Sequence, residues 1–325
     1  MVTTFAGSGT KDSIDGTGAA ASFYYPAGIA LDGSGNLYVV DIGAHNVRKI
    51  TTAGVVSTLA GSGVSESVDG TGVGAQFDSP QGIAVDGSGD LYVADTASHI
   101  IRKVTSAGVV TTFAGLLETA GSADGQRAAA SFDGPTAIAV SGSGDVYVSD
   151  SGNYTIRKID VNGLVTTLAG FPGYDGLVDG TGPEARFKEP RGIAVDGGGN
   201  IYVCDGGNHV IRKITPDGVV TTFAGSGTPS SVDGTGTAAS FFAPSGIAID
   251  SIGDFYVAEF AGSVIRKITA AGVVTTLAGS AGSDGITDGA ASAARFSTPF
   301  GIAVDSSGQV FVSQLLAATI RKISY

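Results

Sequence analysis

The chain has 325 residues, 52 of them Gly, with 42% apolar and 15% charged residues, no Trp and a net charge of −12. Gly does not recur at every third place, which excludes collagen, and the apolar share is too high for a disordered chain. The acidic balance repels phosphate backbones and sets nucleic acid aside as a partner, and no apolar run approaches the ~18 residues that a membrane span needs.

The chain opens on Val2-Thr3-Thr4-Phe5-Ala6-Gly7, a β-type run without the basic start and apolar centre of a signal peptide. One unit then recurs six times. Its Arg falls at Arg48, Arg102, Arg157, Arg212, Arg266 and Arg321, in steps of 54 or 55 residues. Phe23, Phe77, Phe132, Phe187, Phe241 and Phe296 keep the same beat, each three residues ahead of a Pro. A fixed period of this length marks a repeat architecture. In the fourth copy, β-type runs occupy residues 192–196, 200–205, 209–215 and 219–225. Gly-Gly-Gly separates the first two and Pro-Asp-Gly the last two, both turn signals that fold neighbouring strands antiparallel. Apolar residues stand on both faces of these runs, so each small sheet needs a neighbour on both sides. Radial stacking supplies them, and the fold class expected is all-β, a six-bladed β-propeller of four-stranded antiparallel blades in a single domain over residues 1–325. The chain stops at Tyr325 after a third strand that has no fourth. Residues 2–7 are therefore expected to pair beside residues 319–324, completing the last blade and closing the ring.

The run Tyr202-Val203-Cys204-Asp205-Gly206-Gly207-Asn208-His209-Val210-Ile211-Arg212-Lys213, with Pro-x-Gly-Ile-Ala-Val-Asp before it and Val-Thr-Thr-Phe-Ala-Gly after it, resembles the NHL repeat in its bacterial form. The resemblance covers essentially the whole chain. It implies a six-bladed propeller, and a role among ligand-binding scaffolds, sensor ectodomains and RNA-binding modules; related rings include metal-dependent lactonases and lyases. Fold does not by itself choose among these.

Residues able to carry chemistry fall into phased sets. His45, His99 and His209 each precede the Arg by three residues. Equivalent positions on separate blades do not converge unless they line the axis, so these are read as ordering the loop into the third strand rather than as a metal site. Asp32, Asp86, Asp196, Asp250 and Asp305 end the first strand and read as turn formers; a cation at the axis is the lesser alternative. Asp41, Asp95, Asp150 and Asp205 end the second strand and are expected to pair with the repeated Arg, whereas Glu259 and Gln314 depart from that rule. The Asp-Gly-x-x-x-Ala-x-Phe segments lack the alternating acidic ligands of an EF-hand and suit a turn whose Phe plugs between blades. Cys204 is alone and forms no internal disulfide or thiol metal site. Small apolar first strands offer a lactonase-like centre nothing with which to lower a water pKa, so no catalytic residue, metal or cofactor is assigned.

The expected site lies on the face where second strands end and first strands begin. There blades five, six and one supply Phe242, Phe260, Phe300, Leu315, Leu316, Tyr24, Tyr25 and Ile42, while blades two to four supply Gln81, Thr96, Thr136, Ser151, Lys188, Glu189 and Arg191. The ligand-binding set is the apolar sector with Arg191, and with Glu259 and Gln314 as polar anchors. The function this supports is a non-catalytic scaffold whose rim binds a protein, a peptide or a small lipophile, as a monomeric ring in the extracytoplasmic (secreted, periplasmic or cell-surface) part of a larger bacterial protein. The alternative is a lactonase- or lyase-like enzyme at the same rim. Sugar binding is weaker without Trp, although Tyr24 and Tyr25 could stack on a ring.

Overall fold

The computed structural model describes residues 1–324. Six antiparallel sheets surround the axis; in five of them four main strands follow one another in sequence order. In the fourth blade these are Pro190–Val195, Ile201–Asp205, Val210–Ile214 and Val219–Ala224, within two residues of the runs read from the sequence. The sixth blade joins the two ends of the chain. Its inner strands are Pro299–Val304, Val310–Gln314 and Thr319–Ile323, and its outer strand is Val2–Ala6. Val2 lies opposite Ile323 and Ala6 opposite Ile320. Blades one to five carry a fifth strand that the sequence did not announce: a Gly-Thr or Gly-Gln pair, such as Gly180–Thr181, caps the outer edge of its own blade. Two residues are too few for a periodic signal, yet they shield an edge that would otherwise be open.

The hydrophobic core is divided into six clusters, one between each pair of neighbouring blades. Between blades one and two, Ala27, Tyr38, Val40 and Val47 meet Phe77, Ile83, Leu91 and Val93. Between blades six and one, Ala303, Phe311 and Ile320 meet Phe23, Ile29 and Val39. The connecting Phe of every unit is fully buried, as a plug between blades.

The repeated Arg is also fully buried in all six blades. Arg157 shows the pattern. Its Nη1 donates to Asp150 at 2.9 Å and to the Ser131 carbonyl at 2.8 Å, its Nη2 to Asp124 at 2.8 Å, and its guanidinium lies 5.2 Å from the Phe132 ring centre. The pair expected from the sequence is present, and a second carboxylate joins it. That carboxylate is the Asp of the Asp-Gly segment, Asp15, Asp69, Asp124, Asp179, Asp233 or Asp288. The segment is thus a turn and an ion-pair partner at once. The three histidines link neighbouring blades: Nδ1 of His45, His99 and His209 accepts the backbone N–H of Ser79, Gly134 and Ala243, at 3.0 to 3.2 Å. The first-strand Asp residues are turn formers, as with Asp32, which accepts the Ser34 and Asn36 N–H groups.

These groups give a signed pH dependence. Burial pushes Asp41 up to about 7, and Asp95, Asp150 and Asp205 up to about 6, against the pull of their Arg partners and hydrogen bonds. A carboxyl whose pKa rises on folding contributes stability that is complete below its unfolded value and lost as pH rises through the folded one. Burial lowers His209, whose contribution is instead present above its unfolded value and lost on acidification. Burial alone would raise Asp32, Asp86 and Asp196, but hydrogen bonds from their turns outweigh it and hold them low. Their contribution disappears as pH falls below about 4. Burial raises Glu259 as well, and five raised carboxyls outweigh one imidazole, so the melting midpoint is expected to rise from pH 8 to about 5 and to fall below about 4. A midpoint that climbs steadily from pH 5 to 8 in calorimetry would contradict this assignment.

Candidate functional site

First strands pack edge to edge around the axis, and the Gly of Pro-x-Gly permits it. A Cβ on Gly28 would lie 2.4 Å from the Gln81 carbonyl oxygen, and one on Gly246 would lie 2.3 Å from that of Phe300. Below this waist Ile29, Ile83, Ile138, Ile193, Ile247 and Ile302 line a channel of only about 70 Å³. Above the waist the residue between Pro and Gly on blades two, three, four and six turns toward one face, together with the residue that follows the second strand on blades three, five and six. They enclose a hollow of about 320 Å³ lined by Gln81, Thr136, Ser151, Glu189, Arg191, Phe260, Phe300 and Leu315. Loop geometry keeps both sets at one mouth: the Ile42 and Gly43 N–H groups donate to the carbonyls of Tyr25 and Tyr24, so the loop after the second strand is fastened to the segment that leads into the first.

The hollow has two unlike walls. Blades five and six give Phe260, Phe300 and Leu315, with Phe260 and Phe300 edge to face at 6.3 Å. Blades two and three give Gln81, Thr136 and Ser151. The Thr136 and Ser151 hydroxyls share a hydrogen bond at 2.5 Å, and the Ser151 hydroxyl donates on to the Pro190 carbonyl. The Gln81 side-chain amide has no hydrogen-bond partner among the described residues. Arg191 of blade four stands between the walls, 5.7 Å from the Phe260 ring centre and 3.1 Å from Glu189.

Of the expected ligand-binding residues, Arg191, Phe260, Phe300 and Leu315 meet at this hollow, and Ile42 packs on the same apolar cluster as Phe300 and Leu315. Glu259 and Gln314 require correction. Both are fully buried: Glu259 accepts from Arg266, Ser231 and the Phe242 N–H, and Gln314 accepts from Arg321 at 2.7 Å. They stand where the other blades have the ion-pair Asp, and their side chains point between blades, not to the rim. Tyr24, Tyr25, Phe242 and Leu316 lie outside the hollow. Tyr24 and Tyr25 stack at 4.9 Å, Lys11 sits over the Tyr25 ring, and Phe242 leans on His209. Leu316 is about half exposed. The polar wall of Gln81, Thr136, Ser151 and Glu189 was legible as a set of variable slots but not as part of the site, because polarity at a rim carries no signal of its own until the apolar wall is seen to face it.

Comparison with known proteins agrees with this geometry. The family described as NHL repeat matches residues 77–103 and 132–159, and the Teneurin NHL domain matches residues 175–235. The chain is 31% identical over 278 residues to Protein SUPPRESSOR OF QUENCHING 1, chloroplastic, of Arabidopsis thaliana, covering 80% of this chain and 26% of that protein. It spans less than half of the length of the first relatives it matches. Among solved structures, a structural genomics protein from Bacteroides thetaiotaomicron superposes with a TM-score of 0.77 at 26% identity, over 99% of this chain and 74% of that one. An auxiliary nutrient binding protein from the same species gives 0.76 at 20% identity, over 100% and 76%. Rings of this shape also include lyases, so shape alone does not separate binding from catalysis. With six phased blades, three of which these family matches touch, the chain is a six-bladed β-propeller built of NHL repeats.

Proposed function

We propose that this propeller is a non-catalytic binding module that captures a small ligand, or the side chain of a peptide, in the hollow over its axis. The observation that carries the reading is the meeting of an apolar wall with an uncommitted amide and a guanidinium above a narrow axial channel. Pockets that bind small molecules combine apolar lining with a few convergent polar groups in this way, and roughly 300 Å³ is the lower end of their size range. A nutrient-binding neighbour of the same shape supports it, and favours placing the chain outside the cytoplasm as part of a longer protein. No helix among the described residues is long and apolar enough to cross a membrane. The lactonase- or lyase-like alternative finds less support: among the described residues Glu189 is the one carboxylate lining the hollow, and it is exposed and paired with Arg191.

Ligand-observed NMR with a panel of small molecules and short peptides tests the reading. Binders found with the wild-type chain are expected to be lost in the double variant Phe260→Ser, Phe300→Ser, while its melting midpoint drops by no more than a few degrees, because both rings are only half-buried. Equal loss of binding and of fold would assign the two rings to the core instead.

A further inference from the structure

We propose that the ligand of the axial hollow is a monocarboxylate with an apolar or aromatic body, and that Arg191 is the residue that selects the carboxylate. This rests on the binding role proposed above and names its chemistry. Among the described residues blade four alone brings a cationic side chain to the hollow, and its neighbours are shaped around that side chain. The slot after its second strand, filled elsewhere by Ile42, Thr96, Ser151, Phe260 and Leu315, holds Gly206. A Cβ there would come within 3.1 Å of the Arg191 Cδ and 3.2 Å of its Nε, so any larger residue would displace the stem. Phe260 flanks the guanidinium on another side at 5.7 Å. Only Nη2 is engaged, by Glu189 at 3.1 Å, which leaves the remaining N–H groups for an acceptor. A planar guanidinium matches a carboxylate with two parallel hydrogen bonds.

Charge fixes the valence. One Arg, partly offset by Glu189, is matched to a single negative charge, and the acidic chain of net charge −12 disfavours a phosphate dianion. The guanidinium already over Phe260 opposes a cationic guest on that ring. Opposite the charge, Phe260, Phe300 and Leu315 remove an apolar body from water, and the free Gln81 amide can meet one further polar group. The left-handed backbone of Glu189, φ 49°, is common to the residue before Pro on every blade: Tyr25, Ser79, Gly134, Glu189, Ala243 and Thr298.

The test is calorimetric titration of the full chain with 3-phenylpropanoate, 3-phenylpropanamide and 3-phenylpropylamine. The acid is expected to bind at least tenfold tighter than the amide, and the amine weakest. Arg191→Met, which keeps the stem and removes the charge, is expected to bring the acid to the level of the amide and leave the amide unchanged. Glu189→Gln is expected to tighten the acid severalfold. An amide equal to the acid, an amine that binds best, or a series without measurable binding would each overturn the carboxylate assignment. The NMR panel separates that failure from a broader one: if other classes of molecule still occupy the hollow and vanish with Phe260→Ser, Phe300→Ser, the binding role survives, and if none does, both fall.

Discussion

Removing residues 1–7 is expected to open the ring and cost roughly 5 kcal/mol or more, from lost apolar burial and ladder hydrogen bonds together. The strand Val2–Ala6 is the whole outer strand of the closing blade, and it seals two interfaces at once. Val2 belongs to the cluster between blades five and six, while Ala6 belongs to the cluster between blades six and one. Both are fully buried, and Phe5 lies edge to face on Phe311 at 5.3 Å. Thr4 adds hydrogen bonds to Asp288, the residue that also holds Arg321. Stability in repeat arrays is a sum of units and nearest-neighbour interfaces, so loss should be concentrated in blade six and at its two seams. Amide exchange along Thr319–Ile323 is expected to approach that of an unfolded segment while blades two to four stay protected. A truncated chain within about 1 kcal/mol of the parent in urea unfolding would mean that the clasp is dispensable.

Arg157→Met is expected to destabilise by about 3–5 kcal/mol, since it leaves a buried carboxylate with no countercharge. Asp150 is fully buried and takes one of its hydrogen bonds from Arg157. Methionine fills a similar volume, so the loss reports charge and hydrogen bonding more than a cavity. The carbonyls of Ser131 and Ala123 lose a donor as well. By contrast Asp124, whose side chain is 49% exposed, is a partner that water can replace, and Asp124→Asn should cost about 1 kcal/mol or less. The double variant Arg157→Met, Asp150→Leu is expected to recover part of the loss, because removing both charges removes the unpaired one. Urea unfolding of the set decides it. A single Arg157→Met variant within about 1 kcal/mol of the parent would make the six-fold Arg network a bystander.

The period of 54 or 55 residues, the turn glycines and the apolar residues on both strand faces determined the blade, the number of blades and the closure of the ring. These are local or periodic signals, and a sheet that is oily on both sides has few ways to be covered. The variable slots before Gly28 and its equivalents hold Gln81, Thr136, Arg191 and Phe300, four of the residues that line the hollow. What only the tertiary structure decided is direction. Glu259 and Gln314 stood out as departures from a rule, yet each remains at the end of its second strand, and the pleat turns its side chain inward to a buried Arg. Tyr24, Tyr25 and Phe242 precede Pro26 and Pro244 in the connecting segments and face the gap between blades instead of the axis. Gln81 and Arg191 occupy the repeated slot between Pro and Gly, where the residue type follows no period. They become a site because blades distant in sequence bring their rims together around one axis, where five glycines let neighbouring first strands touch.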